Sequence, residues 1–232
     1  MLYIHEVHQV VGKRASEFEA AYRDGWMSEL AKGPDARLLW YLDLAHGSGL
    51  AYRAVTITAV ADGAAWQRLA DRVATGDLRS WARQLDGVQH QSTSRVMMPL
   101  PWSPSIGLDD VPTAPADHEP TMYMEDTMWP FPGKIGEYIE AAGGVYRRSL
   151  GSHDARVGLS IELAYQTVPG AGRHPEVTLM QRISSLSPLI HLLTNDIPPE
   201  VTQPGSWMHD ALELRDQWQS RLLRSAVWSP LP

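Results

Sequence analysis

The stretch LYIHEVHQVV, residues 2–11, sets a carboxylate and an imidazole two positions apart at Glu6 and His8. On a strand, side chains alternate between faces, so Ile4, Glu6, His8 and Val10 share one face and Tyr3, His5, Val7, Gln9 and Val11 the other. A carboxylate held where water is scarce has a raised pKa, and a neighbouring histidine can share its proton. Together they supply an acid and a base near neutral pH. A second stretch, TMYMEDTMW at 121–129, puts Tyr123, Glu125, Thr127 and Trp129 on one face. Glu125 is then the second carboxylate, without a histidine beside it. The opposing reading is structural: Glu6 and Glu125 pair with Arg95 and Arg221, the arginines of two Ser-Arg segments, as a buried ion-pair lattice.

Composition bounds the chemistry. The chain has 232 residues, 44% of them hydrophobic, a formal charge of -7 and a pI of about 5.7. That charge, with no basic run, argues against nucleic acid as a partner. Without cysteine there is no disulfide framework, thiolate metal site or Cys nucleophile, which fits a reducing compartment. The first residues lack the basic-then-apolar order of a signal peptide, and no apolar run approaches the roughly 20 residues that span a bilayer. A cytoplasmic protein with no membrane partner is the expectation. No metal is expected either: His5 and His8 fall on opposite faces of a strand, and His46, His118, His153 and His174 fall in turns.

Elements that position Glu6 and Glu125 come from an internal repeat. SRVMMPLPWSP at 94–104 returns as SRLLRSAVWSP at 220–230, an offset of 126. VVGKRASEFEAA at 10–21 meets FPGKIGEYIEAA at 131–142, PDARLLWYLD near 34 meets HDARVGLSIE at 153, and Ser80-Trp81 meets Ser206-Trp207. Between the copies, residues 99–120 hold six prolines and read as an extended linker. In each copy the hydrophobic period gives strand, helix, hairpin, helix, strand. Ser16 with Glu19 predicts a capping box, Asp62 caps the second helix, and Trp66, Trp81, Trp207 and Trp218 sit at helical spacing as core. The predicted fold is α+β: two tandem ferredoxin-like βαββαβ units, 1–104 and 121–232, joined by 105–120 and closing into one barrel within the chain. The Trp-Ser-Pro segments mark where each last strand leaves it.

The first strand with its glutamate, the Gly-Lys or Pro-Gly-Lys opening of the helix, and the closing strand ending in Pro-x-x-Ser-Pro resemble the NIPSNAP family of dimeric α+β barrels. EVHQVVGKRASEFEAAY and SRVMMPLPWSP carry the likeness best; in the second copy DTMWPFPGKIGEY has extra residues before Gly133, and RSAVWSP lacks the proline before the tryptophan. The resemblance implies the barrel but no single reaction. Matching Glu6 to the family's strand glutamate implies that Glu6 and His8 face the barrel interior. The wider superfamily includes cofactor-free monooxygenases, cyclases, isomerases and haem proteins, and His191 in SPLIHLL is the residue offered as a haem ligand.

The aromatic supply, nine tryptophans and eight tyrosines against two phenylalanines, favours an apolar or aromatic ligand. The expectation is therefore a cofactor-independent cyclase, isomerase or lyase on a small apolar or aromatic metabolite, with Glu6, His8 and Glu125 catalytic. Trp129, Tyr123, Trp40, Tyr52, Arg95 and Arg221 line the substrate site. The alternatives are a non-catalytic binder of a hydrophobic ligand and a haem protein. An outer helix or edge segment leaves whole chains free to pair as a homodimer.

Overall fold

The computed structural model describes residues 1–151, 158–194 and 197–232. The first repeat runs β1 (Leu2–Val10), α1 (Ala15–Ala21), α2 (Met27–Leu30), β2 (Ala36–Leu44), β3 (Arg53–Val60), α3 (Gly63–Ala74), α4 (Arg79–Asp86) and β4 (Gln89–Pro99). The second runs β5 (Met122–Trp129), α5 (Ile135–Ala141), α6 (Arg147–Gly151), β6 (Leu159–Thr167), β7 (Val177–Ile183), α7 (Leu186–Leu193), α8 (Trp207–Asp210) and β8 (Gln217–Ser225). The strands hydrogen-bond in the closed order β1-β3-β2-β8-β5-β7-β6-β4. Each repeat contributes the same internal order, β4-β1-β3-β2 and β8-β5-β7-β6, so the α+β barrel expected from the repeated sequence is the fold of the chain.

Two compact units divide the chain, one of residues 1–98, 105–121 and 221–232, the other of 99–104 and 122–220. In the first, the helix-facing core gathers Val10, Phe18, Ala21, Tyr22, Met27, Leu30, Tyr41, Leu69 and Leu85. In the second it gathers Leu100, Met128, Tyr138, Ala142, Ala164, Val177 and Leu179, with Trp207 and Leu214 against it. β2 and β6 each carry a register shift, between Leu38 and Trp40 and between Ile161 and Leu163, which re-aims the residues that follow. Between α1 and α2, and between α5 and α6, the chain widens into a π-helical segment, Tyr22–Trp26 and Ala142–Tyr146. In the first of these Gly25 lies so close to the Trp81 ring that a Cβ has no room.

Each Trp-Ser-Pro segment joins the compact unit of the other repeat. In the second unit the Trp102 indole donates to the Ile139 carbonyl at 2.8 Å, and the Ala164 amide donates to Ser103 Oγ at 3.0 Å. In the first unit the Trp228 indole donates to Glu19 Oε1 at 2.7 Å, and the Tyr41 amide donates to Ser229 Oγ at 3.1 Å.

Local expectations fared unevenly. Asp62 caps α3 by accepting from the Ala65 amide at 2.7 Å. The Ser16–Glu19 box does not form: α1 has no side-chain N-cap, and the Glu19 carboxylate is used by Trp228. Trp218 lies on β8 rather than a helix and is 48% exposed, because the helical turns end by Glu213. Trp66 is 40% exposed, while Trp81 and Trp207 pack against the two cores. The His153-Asp154-Ala155-Arg156 match falls outside the described residues.

Candidate functional site

Parity along β1 places Glu6 and His8 under the helices, not on the opposite face with His5. Ile4 and Val10 belong to the helix-facing core, and Glu6 and His8 share their parity, whereas buried Tyr3 and His5 point the other way. The expectation that Glu6 and His8 face the barrel interior is therefore reversed. Neither polar group is left unpartnered there, because the layer between strands and helices carries Gln89, Thr56 and Tyr22.

His8 shows how. Its Nδ1 lies 2.9 Å from Gln89 Oε1, and its Nε2 lies 3.1 Å from Thr56 Oγ1 and 3.2 Å from the Tyr22 hydroxyl. Gln89 Nε2 donates to Asp86 Oδ1 at 3.0 Å, which turns its amide oxygen toward the histidine. Nδ1 of His8 is then the donor to Gln89, and Nε2 is the nitrogen that faces the hydroxyls. Thr56 stands directly opposite Glu6 in the β1–β3 register, and its hydroxyl also hydrogen-bonds the Glu6 carboxylate. One hydroxyl thus bridges carboxylate and imidazole. Phe18 packs against the His8 ring, centroids 5.2 Å apart, and fixes its plane.

Between these strands, the π-helical segment Tyr22–Trp26, α3 and α4 lies a cavity of about 380 Å³, within the size range of small-molecule sites. Its polar lining includes Glu6, His8, Tyr22, Thr58, Asp86 and Gln89, with Ser92 and Ser94 on β4; Ile4, Trp26, Leu69, Val73 and Leu85 are among its apolar walls. Burial pushes the Glu6 carboxyl above the ordinary glutamate range, opposed by His8 and the Thr56 hydrogen bond, with Asp86 adding to the rise. Burial, and then the Glu6 charge, hold the Tyr22 phenol well above its usual value, so it is a protonated donor. Nothing in the sequence analysis singles out Tyr22, Thr56, Gln89 or Asp86. Their signal was a polar group on an otherwise apolar face: Thr56 within AVTITAV, and Gln89 where β4 begins.

The other expected site residues do not join this cavity. Arg95 shares the face of His5, whose Nδ1 it approaches at 3.0 Å, and in the β1–β4 register it stands opposite His5, not Glu6. Tyr52 is 59% exposed in the β2–β3 loop, against Gly12. Trp40 is buried on β2 outside the helix-facing core, and Arg221 is partly buried on β8. In the second unit Tyr123, Glu125 and Trp129 lie on the strand face opposite Met128 and the helices, and the Trp129 indole donates to Glu176 Oε2 at 2.8 Å. His191 is exposed on α7, and His8 already has a neighbour at each ring nitrogen.

Glu125 is also not the counterpart of Glu6. Glu6 lies opposite Thr56, which lies opposite Tyr41; Asp126 lies opposite Leu179, which lies opposite Ala164. Tyr41 and Ala164 are the two residues whose amides bond the Trp-Ser-Pro serines, so Asp126 occupies the Glu6 position. The equivalent of Glu125 in the first repeat is His5, and that of His8 is Met128.

No protein-family model matches the chain, and no curated protein does. Among solved structures it is similar to a proposed monooxygenase from Lactobacillus acidophilus, at 9% identity over 99% of this chain and 96% of that one, TM-score 0.62. An anthrone oxidase-like protein matches at 9% identity, 97% and 91% coverage and TM-score 0.57. A NIPSNAP domain protein from Burkholderia xenovorans matches at 18% identity over 45% of this chain and all of that one, TM-score 0.39. At these identities the first two establish a shared fold, that of the dimeric α+β barrels.

Proposed function

We propose that the chain is a cofactor-independent acid–base enzyme acting on a small apolar or aromatic molecule, with Glu6 as proton acceptor and His8 as its partner. The observation that carries this reading is a carboxylate, raised by burial, in a cavity that sets it beside an imidazole and a phenol and against the apolar faces of α3 and α4. A carboxylate displaced upward is a stronger base than one in water. Glu6 takes a proton from a carbon next to a carbonyl, and the electron pair moves into that carbonyl as an enolate. Thr56 offers a path by which the proton passes toward His8 Nε2, and the Tyr22 phenol is the nearby donor. Return of the proton to a different carbon completes an isomerisation; attack of the enolate carbon on a second carbonyl of the same molecule, whose oxygen takes the proton, completes a cyclisation; departure of a group from the neighbouring carbon completes an elimination. Glu125 and the strand arginines have no part in this step.

A second reading is favoured by what the similar structures are called, a monooxygenase and an oxidase-like protein. The same deprotonation then yields a carbanion that reacts with molecular oxygen, its electrons reducing the oxygen as a carbon–oxygen bond forms. Kinship with the NIPSNAP proteins remains a proposal resting on the strand, Gly-Lys and closing-strand motifs. Pairing of whole chains is likewise proposed, with size in solution as its measure. Among the described residues no helix is long and apolar enough to cross a membrane.

Proton abstraction is observable before the substrate is known. A panel of aryl ketones and phenols incubated in deuterated water should show enzyme-dependent exchange at an acidic C–H, lost in Glu6→Gln while binding is retained. Oxygen uptake separates the two reactions. Binding without exchange by the native protein for every compound bound favours a non-catalytic ligand carrier.

A further inference from the structure

We propose that the second unit holds a separate anion site at Arg215 that takes the carboxylate of a small aromatic acid. Arg215 is only 8% exposed, yet its Nε and Nη1 make no hydrogen bond. A buried guanidinium with unmade donors is costly to leave as it is, and the usual remedy is an anion. The neighbouring carboxylate does not supply it. Asp126 accepts from Ser220 Oγ at 2.5 Å and from Gln181 Nε2 at 2.9 Å, and Gln181 Oε1 in turn accepts the Tyr146 hydroxyl at 2.5 Å.

The position has a meaning of its own. By the offset of 126 that relates the closing strands, Arg215 stands where Gln89 stands in the first repeat, and Ser220 where Ser94 stands. Asp126 replaces Glu6, and by the helix offset of 120 Tyr138 replaces Phe18 and Tyr146 replaces Trp26. Every one of these first-repeat positions except Phe18 lines the first cavity, and Phe18 packs against the His8 ring. The second repeat therefore carries the same location rebuilt around a fixed positive charge.

Aromatic groups surround that charge. The guanidinium lies 4.4 Å over the Trp218 ring, Tyr138 hydrogen-bonds it, and Trp207 packs against both Tyr138 and Tyr146 at 5.8 and 5.3 Å. Such a lining suits a flat ring bearing one carboxylate better than inorganic phosphate.

Benzoate titrated calorimetrically into the full chain tests the assignment. Binding should be weakened at least ~30-fold in Arg215→Met and less in Arg215→Lys, since the cation is the anchor. Asp126→Asn should tighten it about 3- to 10-fold, because a negative charge beside the guanidinium is removed. A purely structural Arg215 predicts no such gain, so this variant decides the matter if Arg215→Met does not fold. Glu6→Gln, which tests the first cavity, should leave benzoate affinity at this site unchanged. Benzoate affinity unaffected in a folded Arg215→Met, unchanged or weaker in Asp126→Asn, or absent up to roughly 10 mM in the native protein overturns the proposal.

Discussion

The hydroxyl of Tyr22 and the Nε2 of His8 lie 3.2 Å apart, a polar contact between the helix layer and the sheet at the edge of the apolar core. Tyr22→Phe keeps the ring contacts with Phe18, Trp26 and Tyr41 and removes the hydroxyl's bonds to His8 and Thr56. A loss of about 1 kcal/mol in unfolding free energy is expected, the usual net worth of such a bond. Denaturant midpoints measure it. A reduction in proton exchange beyond that of a stability-matched core variant would separate donor from scaffold.

Acid should stabilise part of this protein. Burial, with Glu19 nearby and Arg224 opposing, pushes the Asp43 carboxyl up to about 6. The folded chain therefore holds a proton there that the unfolded chain has released, and stability falls as pH rises from about 4 to about 6. Burial raises Glu6 in the same direction, so its contribution has the same sign. Asp43→Asn should flatten the slope, by on the order of 1–3 kcal/mol between the ends of that window. Thermal melts of both proteins across pH 4 to 7 check it, and a native protein whose stability climbs steadily through the window contradicts the assignment.

Ser103 and Ser229 make the same bond in the two units, each accepting a strand amide. Ser103→Ala and Ser229→Ala leave the Ala164 and Tyr41 amides without that acceptor, at about 1–3 kcal/mol each. Urea titration of the two single variants should give similar losses, and Ser→Thr at either position should recover part.

Gly25→Ala should destabilise by about 1–3 kcal/mol, the range for overpacking a core. The cause is the Trp81 ring against Gly25 in the π-helical segment, so Gly25→Ala combined with Trp81→Leu should be less destabilised than the two single losses added.

Much of the fold was legible in the chain because it is written twice. The Ser-Arg, Gly-Lys and Trp-Ser-Pro matches gave the order of strands and helices, and Asp62 announced a helix start that the structure keeps. What failed was parity. Aligning Glu125 with Glu6 assumes an offset of 119, while the strand pairings require 120; on a strand a slip of one residue turns the side chain to the other face. The same blindness hid Thr56, which only the register of β1 against β3 brings opposite Glu6. Trp218 was misread because its spacing from Trp207 fits helical turns but does not show that the helix stops between them. The carboxylate and imidazole were found, by contrast, because polar groups on an apolar strand are conspicuous in sequence.

The exchange of Trp-Ser-Pro segments also bears on how the chain is made. The first compact unit includes residues 221–232, so during synthesis its earlier strands leave the ribosome long before Trp228 and Ser229 exist to fill their places against Glu19 and Tyr41. Residues 1–98 must wait through translation of the whole second repeat with that seat empty, a long-range closure of the kind that slows folding and exposes apolar surface to chaperones. The second unit has the opposite history: its borrowed segment, 99–104, is already outside when its strands arrive. Vectorial synthesis thus gives two units of the same topology different folding schedules, the one that emerges first being the last to be completed.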